Sequence, residues 1–175
     1  MFYGNFTAAL PNLECGVIPE ITLEEFDALA SEVMSEKKFK ALTSWDDETQ
    51  TPAAGVYRAM REFDDILKLR IAERRQEKLG INVTLPEAEY DSDVEYALPT
   101  AASAVNPVER EHLVDLIRWR KIDELESLHQ LDFTALCCYR MRLVLLEKFR
   151  KRKGGSGSAV FEQAVDKLAT RISNI

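Results

Sequence analysis

The most constraining feature of this sequence is a pair of helical patterns that are separated by only a few residues. Over residues 107–129, apolar side chains recur every three or four positions, as in a helix with one face on a core. Over residues 133–153 they lie on almost every side, which predicts the most buried helix of the fold. Because so short a connection turns two helices back on each other, we predict an antiparallel helical hairpin over 107–153.

Capping signals mark where these and other helices begin and end. Asn106 is a favourable N-cap before Pro107, and Asp132 is placed to cap the following helix. Residues 53–79 carry one apolar stripe at helical spacing, and Gly80 follows where a left-handed cap residue belongs. These signals predict a long helix before the hairpin.

A capping box predicts an earlier helix. Thr22 and Glu25 have the spacing at which each side chain satisfies the other residue's backbone N–H. The helix that they open places Phe26, Leu29 and Val33 at helical spacing, which predicts that these three side chains face the core.

The sequence divides into three parts, which we expect to form one compact domain. Residues 1–80 begin with an N-terminal arm or a short strand and continue with helices. Residues 81–105 contain two prolines and an acidic run, which predict a linker or loop. Residues 106–175 hold the hairpin and, after the break at Gly154–Ser158, a last helix. The predicted fold class is therefore mainly α, a helical bundle.

Composition excludes several classes of protein. The net charge of −7 argues against a nucleic-acid partner, since phosphate binding relies on a surplus of Lys and Arg. A bilayer span needs about 20 predominantly apolar residues, and none is present, so we expect no membrane insertion. The first residues do not have the pattern of a secretory signal. We therefore expect a soluble cytoplasmic protein with reduced cysteines.

Two groups of basic residues are candidates for binding a partner. Arg118 and Arg120 flank Trp119, and these residue types are enriched at interface hot spots. The alternative is that the arginines form solvated ion pairs with Asp123 and Glu124 while Trp119 lies in the core.

The second basic group ends the hairpin's second helix. It could dock an acidic neighbour, or its cations could stabilise the helix C-terminus. The candidate partner-binding residues are Arg118, Arg120, Lys148, Arg150, Lys151, Arg152 and Lys153.

Other residue types give weaker signals for chemistry. The Gly154–Ser158 loop could place an anion at a helix N-terminus, although it lacks the Lys-Ser or Lys-Thr of a phosphate loop. His112 and His129 are far apart, and Cys137 and Cys138 point in different directions on a helix. We expect no catalytic residue, no cofactor and no metal.

Several stretches of the chain together have a familiar pattern. They are the aromatic pair Phe2-Tyr3 ahead of Ala9-Leu10-Pro11, the run Leu116–Leu125 with Arg118-Trp119 and Asp123-Glu124-Leu125, the pair Asp132-Phe133, and Tyr139 with Leu145–Lys148. The pattern resembles an uncharacterised family of bacterial proteins that are encoded with the subunits of V/A-type ATP synthases. The resemblance implies a role as an accessory or stalk-associated subunit, similar to the all-helical stalk subunit of those machines.

We therefore expect a non-catalytic protein that acts through protein–protein contacts, with V/A-type ATPase subunits as its partners and a location peripheral to a membrane complex. A free-standing helical adaptor with another partner is the alternative. A phosphate-binding enzyme that uses Gly154–Ser158 is the third hypothesis.

Overall fold

The fold is all-helical in the part of the chain that the structure, a computed structural model, describes: residues 3–47, 49, 51–81, 83–87 and 89–153. The helices are α1 (Gly4–Ala9), α2 (Leu23–Val33), α3 (Glu36–Thr43), α4 (Gly55–Leu79), α5 (Ser92–Ser103), α6 (Pro107–Glu126) and α7 (Phe133–Lys153). This confirms the predicted mainly α fold class. Within those residues, every helix is too short or too polar to span a bilayer.

The predicted caps begin and end the helices. Thr22 Oγ1 accepts from the Glu25 N–H at 3.1 Å, and the Glu25 carboxylate accepts from the Thr22 N–H at 2.8 Å. Asn106 Oδ1 accepts from the backbone of α6, and Asp132 Oδ1 accepts from the backbone of α7. Gly80 has φ +63° and ends α4. Local capping chemistry therefore sets these helix boundaries.

The α6–α7 hairpin contains the centre of the core. Leu136, Leu143 and Leu146 on α7 are almost completely buried, and Ile117 and Ile122 on α6 pack in the same cluster. Helices α2, α3, α4 and α6 all contact α7. The predicted hairpin and the predicted burial of α7 are both confirmed.

One fully buried charge lies inside this core. The Arg140 side chain is 1% exposed, and its guanidinium donates to both carboxylate oxygens of Asp27 at 2.8 Å. It also donates to both oxygens of Asp46, at 3.0 and 2.6 Å. Arg140 thereby joins α7 to α2 and to the connection between α3 and α4.

The N-terminal segment, for which the sequence left an arm or a short strand open, contains the short helix α1. The Tyr3 N–H donates to the Leu131 carbonyl at 3.0 Å. Phe6 stacks on Phe26 with ring centroids 5.9 Å apart, and the Tyr139 hydroxyl donates to the Pro11 carbonyl at 2.9 Å. The segment is thus held against α2 and the hairpin.

The predicted linker over 81–105 is wrong for its second half, because Ser92–Ser103 form α5. Pro99 lies inside this helix, where a proline costs about 3 kcal/mol and removes a backbone donor. Val94, Leu98 and Ala101 lie on one face of α5 and are buried against the rest of the bundle. Their burial offsets the cost of the proline.

The break at Gly154–Ser158 and the predicted last helix lie outside the described residues. They remain predictions.

We expect Leu146→Ala to lower the free energy of unfolding by about 2–5 kcal/mol, because it leaves a cavity in the core beneath α7. Leu128→Ala is the matched control, since Leu128 is 91% exposed and its truncation should change stability by less than about 0.5 kcal/mol. Urea denaturation of the two variants measures both effects. Equal stability changes would contradict the position of α7 at the centre of the core.

Candidate functional site

A groove with an apolar floor runs between α4, α5 and α6. Its volume is about 560 Å³, and α5 and α6 contribute the buried side chains of Leu98, Ala101 and Val114. One end is formed by the large apolar side chains of the α4 terminus and the residues that follow it. These are Leu79, Ile81 and Val83, which are 69%, 52% and 55% exposed. The groove therefore leaves apolar surface open to solvent, which is typical of an interaction site.

Cationic side chains surround this apolar floor. They come from both α4 and α6 and are Lys68, Arg74, Arg75, Lys78, Arg110 and Arg118. Among the lining residues in the described ranges, Glu111 is the only acid. The groove thus combines aliphatic contacts with positive charge, in a chain whose net charge is negative.

The cations of the groove differ in how firmly they are held. Arg118 donates to Asp64 at 2.7 Å and to Asp115 at 3.0 Å, and Lys68 pairs with Asp64 at 3.0 Å. In contrast, Arg75 and Lys78 are exposed and have no ion-pair partner in the described part of the chain. These two cations are the most available to a ligand.

The ion pairs behind the groove keep their charges. Burial on its own would raise the pKa of Asp64, but Arg118 and Lys68 outweigh it and hold that pKa below its usual value. Burial likewise lowers the pKa of Arg118 on its own, and the two neighbouring carboxylates more than reverse this. The positive charge of Arg118 is therefore permanent.

Three of the predicted partner-binding residues are engaged inside the molecule. Arg118 is held as described, and Arg152 on α7 pairs with the buried Asp115 of α6. Arg150 pairs with Glu147 at 3.1 Å and donates to the Pro19 carbonyl at 3.4 Å. Their main contacts join α7 to its neighbours.

The other four predicted residues are exposed: Arg120, Lys148, Lys151 and Lys153. Lys153 Nζ lies 5.8 Å from the centroid of the Phe149 ring. Arg120 and Lys148 have no ion-pair partner among the described residues. Their role in binding remains a prediction.

The predicted ion pairs of Arg120 are replaced by others. Glu124 accepts from Lys121 at 2.8 Å, and Asp123 accepts from Arg142 at 2.7 Å. Trp119 is 8% exposed and lies beneath the Arg142 guanidinium, 5.6 Å from its ring centroid. Trp119 is therefore a core residue, as the alternative interpretation expected.

The cysteines and histidines are placed for packing. Cys137 and Cys138 are completely buried, and burial raises the pKa of each thiol to about 12. Both sulfurs stay protonated at neutral pH and are poor nucleophiles. His112 packs on Phe149 at 5.6 Å, and His129 Nδ1 lies 2.6 Å from the Asp132 carboxylate. No cluster of three metal-binding side chains occurs in the described ranges.

A second cavity, of about 770 Å³, lies between α3 and the start of α4. Three lysines line it, but Lys40 is paired with Glu36 and Lys38 lies over the Phe133 ring. None of its lining residues is among the large apolar side chains left exposed on the surface. The groove between α4, α5 and α6 is the better candidate for a docking site.

Sequence reasoning missed the groove. The cations of the last turns of α4 suggested only dipole stabilisation, and α5 was expected to be a linker. One usable signal was present: the apolar residues Leu79, Ile81 and Val83 directly follow the basic turn and alternate with Gly80 and another small polar position. Apolar residues beside clustered cations indicate a binding surface when no core position is available to them.

The fold and the groove define an all-helical binding protein, and the comparisons with known proteins agree with this only in part. A family model described as "Protein of unknown function (DUF2764)" matches residues 95–172, which is less than half of the chain. Over that stretch, which includes α6, α7 and most of α5, the chain is similar to the family. No curated protein and no solved structure matches the chain.

We expect Arg152→Ala to lower the free energy of unfolding by about 1–3 kcal/mol, because the buried Asp115 carboxylate would lose one of its two cationic partners. Arg120→Ala removes an exposed arginine and should change stability by less than about 0.5 kcal/mol. Urea denaturation distinguishes the two variants. If both were neutral, Arg152 would belong to the free surface, and its inward role would be wrong.

Proposed function

We propose that this protein is a non-catalytic interaction subunit that binds a protein partner in the groove between α4, α5 and α6. The observation that carries the proposal is the exposed apolar end of the groove, formed by Leu79, Ile81 and Val83 within a cationic rim. Interfaces combine an apolar centre with a polar rim, and arginine is enriched in them. The protonated thiols of Cys137 and Cys138 are consistent with a role that needs no nucleophile.

We further propose that the partner is a subunit of a V/A-type rotary ATPase, so that the protein acts as an accessory or stalk-associated subunit at the cytoplasmic side of that complex. This part rests on the resemblance to the bacterial family that is encoded with those ATPases. The run Leu116–Leu125 and the later motif residues lie within the stretch that the family model matches. A free-standing adaptor would use the same groove for a different partner.

Co-purification from native cells tests the proposal. The tagged wild type should retain V/A-type ATPase subunits, identified by mass spectrometry, and should retain less of them as salt screens the cationic rim. Arg75→Glu with Lys78→Glu should abolish the association, because both cations are exposed on the groove.

Arg120→Glu with Lys148→Glu is the matched control. It makes the same change in net charge with one arginine and one lysine, but neither residue lines the groove. Association should survive in this control. Loss only in the control would move the binding site to the predicted basic residues. Absence of every ATPase subunit from the wild-type sample would contradict the rotary ATPase partner.

A further inference from the structure

Resting on the proposed function, we infer that the segment of the partner held in this groove is a single amphipathic α-helix with an acidic polar face. The inference names the chemistry of the occupant. It depends on the shape of the groove, on the kind of surface that lines it and on the distribution of its charge.

The length of the groove matches a short helix. Its α4 side extends from Lys68 to Leu79, and at 1.5 Å per residue this is about 17 Å. A ligand helix of about three turns has the same length. A volume of about 560 Å³ can take the apolar side chains of one such helix, whereas the helix itself would remain at the surface. An anchor pattern at i, i+3, i+4 and i+7 would place those side chains along the floor.

The lining favours a helix over an extended strand. Strand addition needs the unpaired backbone groups of a sheet edge. Here three helices form the walls, and the backbone N–H and C=O groups in the middle of a helix already bond to each other. Recognition must therefore come from side chains, with aliphatic contacts to Ile71, Leu98 and Val114 as the centre.

The charge of the lining selects an acidic partner. Cations from both α4 and α6 border the apolar floor, so carboxylates beside the ligand's apolar stripe would meet a positive charge on either helix. Arg110 adds an unused donor, since its buried Nε–H has no acceptor among the described residues. The lining contains no aromatic ring, within the described ranges, on which a nucleic-acid base could stack. Acidic peptide is therefore favoured over single-stranded nucleic acid.

A labelled peptide measures the inference directly. The probe is a fluorescein-labelled 18-residue peptide with Leu at every i, i+3, i+4 and i+7 position and Glu and Ala elsewhere. Fluorescence anisotropy with the full-length protein should show saturable binding that weakens as salt is raised. Two further probes, the same composition in scrambled order and the same stripe with Lys in place of Glu, should each bind at least tenfold more weakly.

Two pairs of variants locate the binding site. Arg75→Glu with Lys78→Glu, and Leu79→Gln with Val83→Gln, should each raise the Kd for the acidic peptide at least tenfold. The matched controls are Arg120→Glu with Lys148→Glu, and Val17→Gln with Leu128→Gln, which change the same residue types at exposed positions outside the groove. Each control should keep the Kd within about twofold. Circular dichroism and urea denaturation check that all four variants fold.

Specific outcomes would overturn the inference. Equal binding of the scrambled peptide would remove the helical stripe, and equal binding of the Lys peptide would remove the charge selection. If dodecanoate bound in the groove and the acidic peptide did not, the site would belong to a small amphipathic anion. If ATPase subunits co-purified with the wild type while the peptide failed to bind, the helix would be wrong and the proposed function would stand. Peptide binding without ATPase subunits would give the reverse result.

Discussion

The structure depends most on the guanidinium of Arg140, which is buried in the core and paired with Asp27 and Asp46. An unpaired charge at this position would cost several kcal/mol, so the two carboxylates must arrive together with α7. Burial on its own lowers the pKa of Arg140, but the two carboxylates outweigh burial and hold it above its usual value. The arrangement fixes α2 and the α3–α4 connection against the same turn of α7, and thereby the position of α4 beside the hairpin.

This use of charge explains where the binding surface lies. Helix α7 is rich in cations, yet Arg140, Arg142 and Arg152 all pair with carboxylates from other parts of the chain. A basic helix is therefore used largely to hold the bundle together. Arg75 and Lys78, which have no ion-pair partner among the described residues, lie on α4 instead, where packing of α5 against α6 completes an apolar groove.

What could be predicted from the sequence was set by local interactions. The capping box at Thr22 and the left-handed Gly80 involve only neighbouring residues, and both were predicted correctly. The spacing on α2 was less informative: Phe26 and Ala30 are buried, whereas Leu29 and Val33, predicted to face the core, are 44% and 49% exposed. Periodicity alone cannot say which of two adjacent stripes finds a partner.

Features that depend on distant parts of the chain were not predicted. Pro99 and the acidic run argued against α5, because the sequence does not show that Val94 and Leu98 will be covered by other helices. The same holds for the buried ion pairs, whose members are far apart in sequence, as Arg140 and Asp27 are separated by 113 positions. The groove is formed by three helices and could be found only after their packing was known.

The central claim is that a partner helix binds between α4, α5 and α6. Methyl NMR of the protein labelled at Ile, Leu and Val, titrated with the acidic amphipathic peptide, tests it most directly. The account predicts that the largest shift changes and intermolecular contacts fall on Ile71, Leu98 and Val114 in the groove. Changes concentrated instead at Val144, beside the exposed cations of α7, would contradict it.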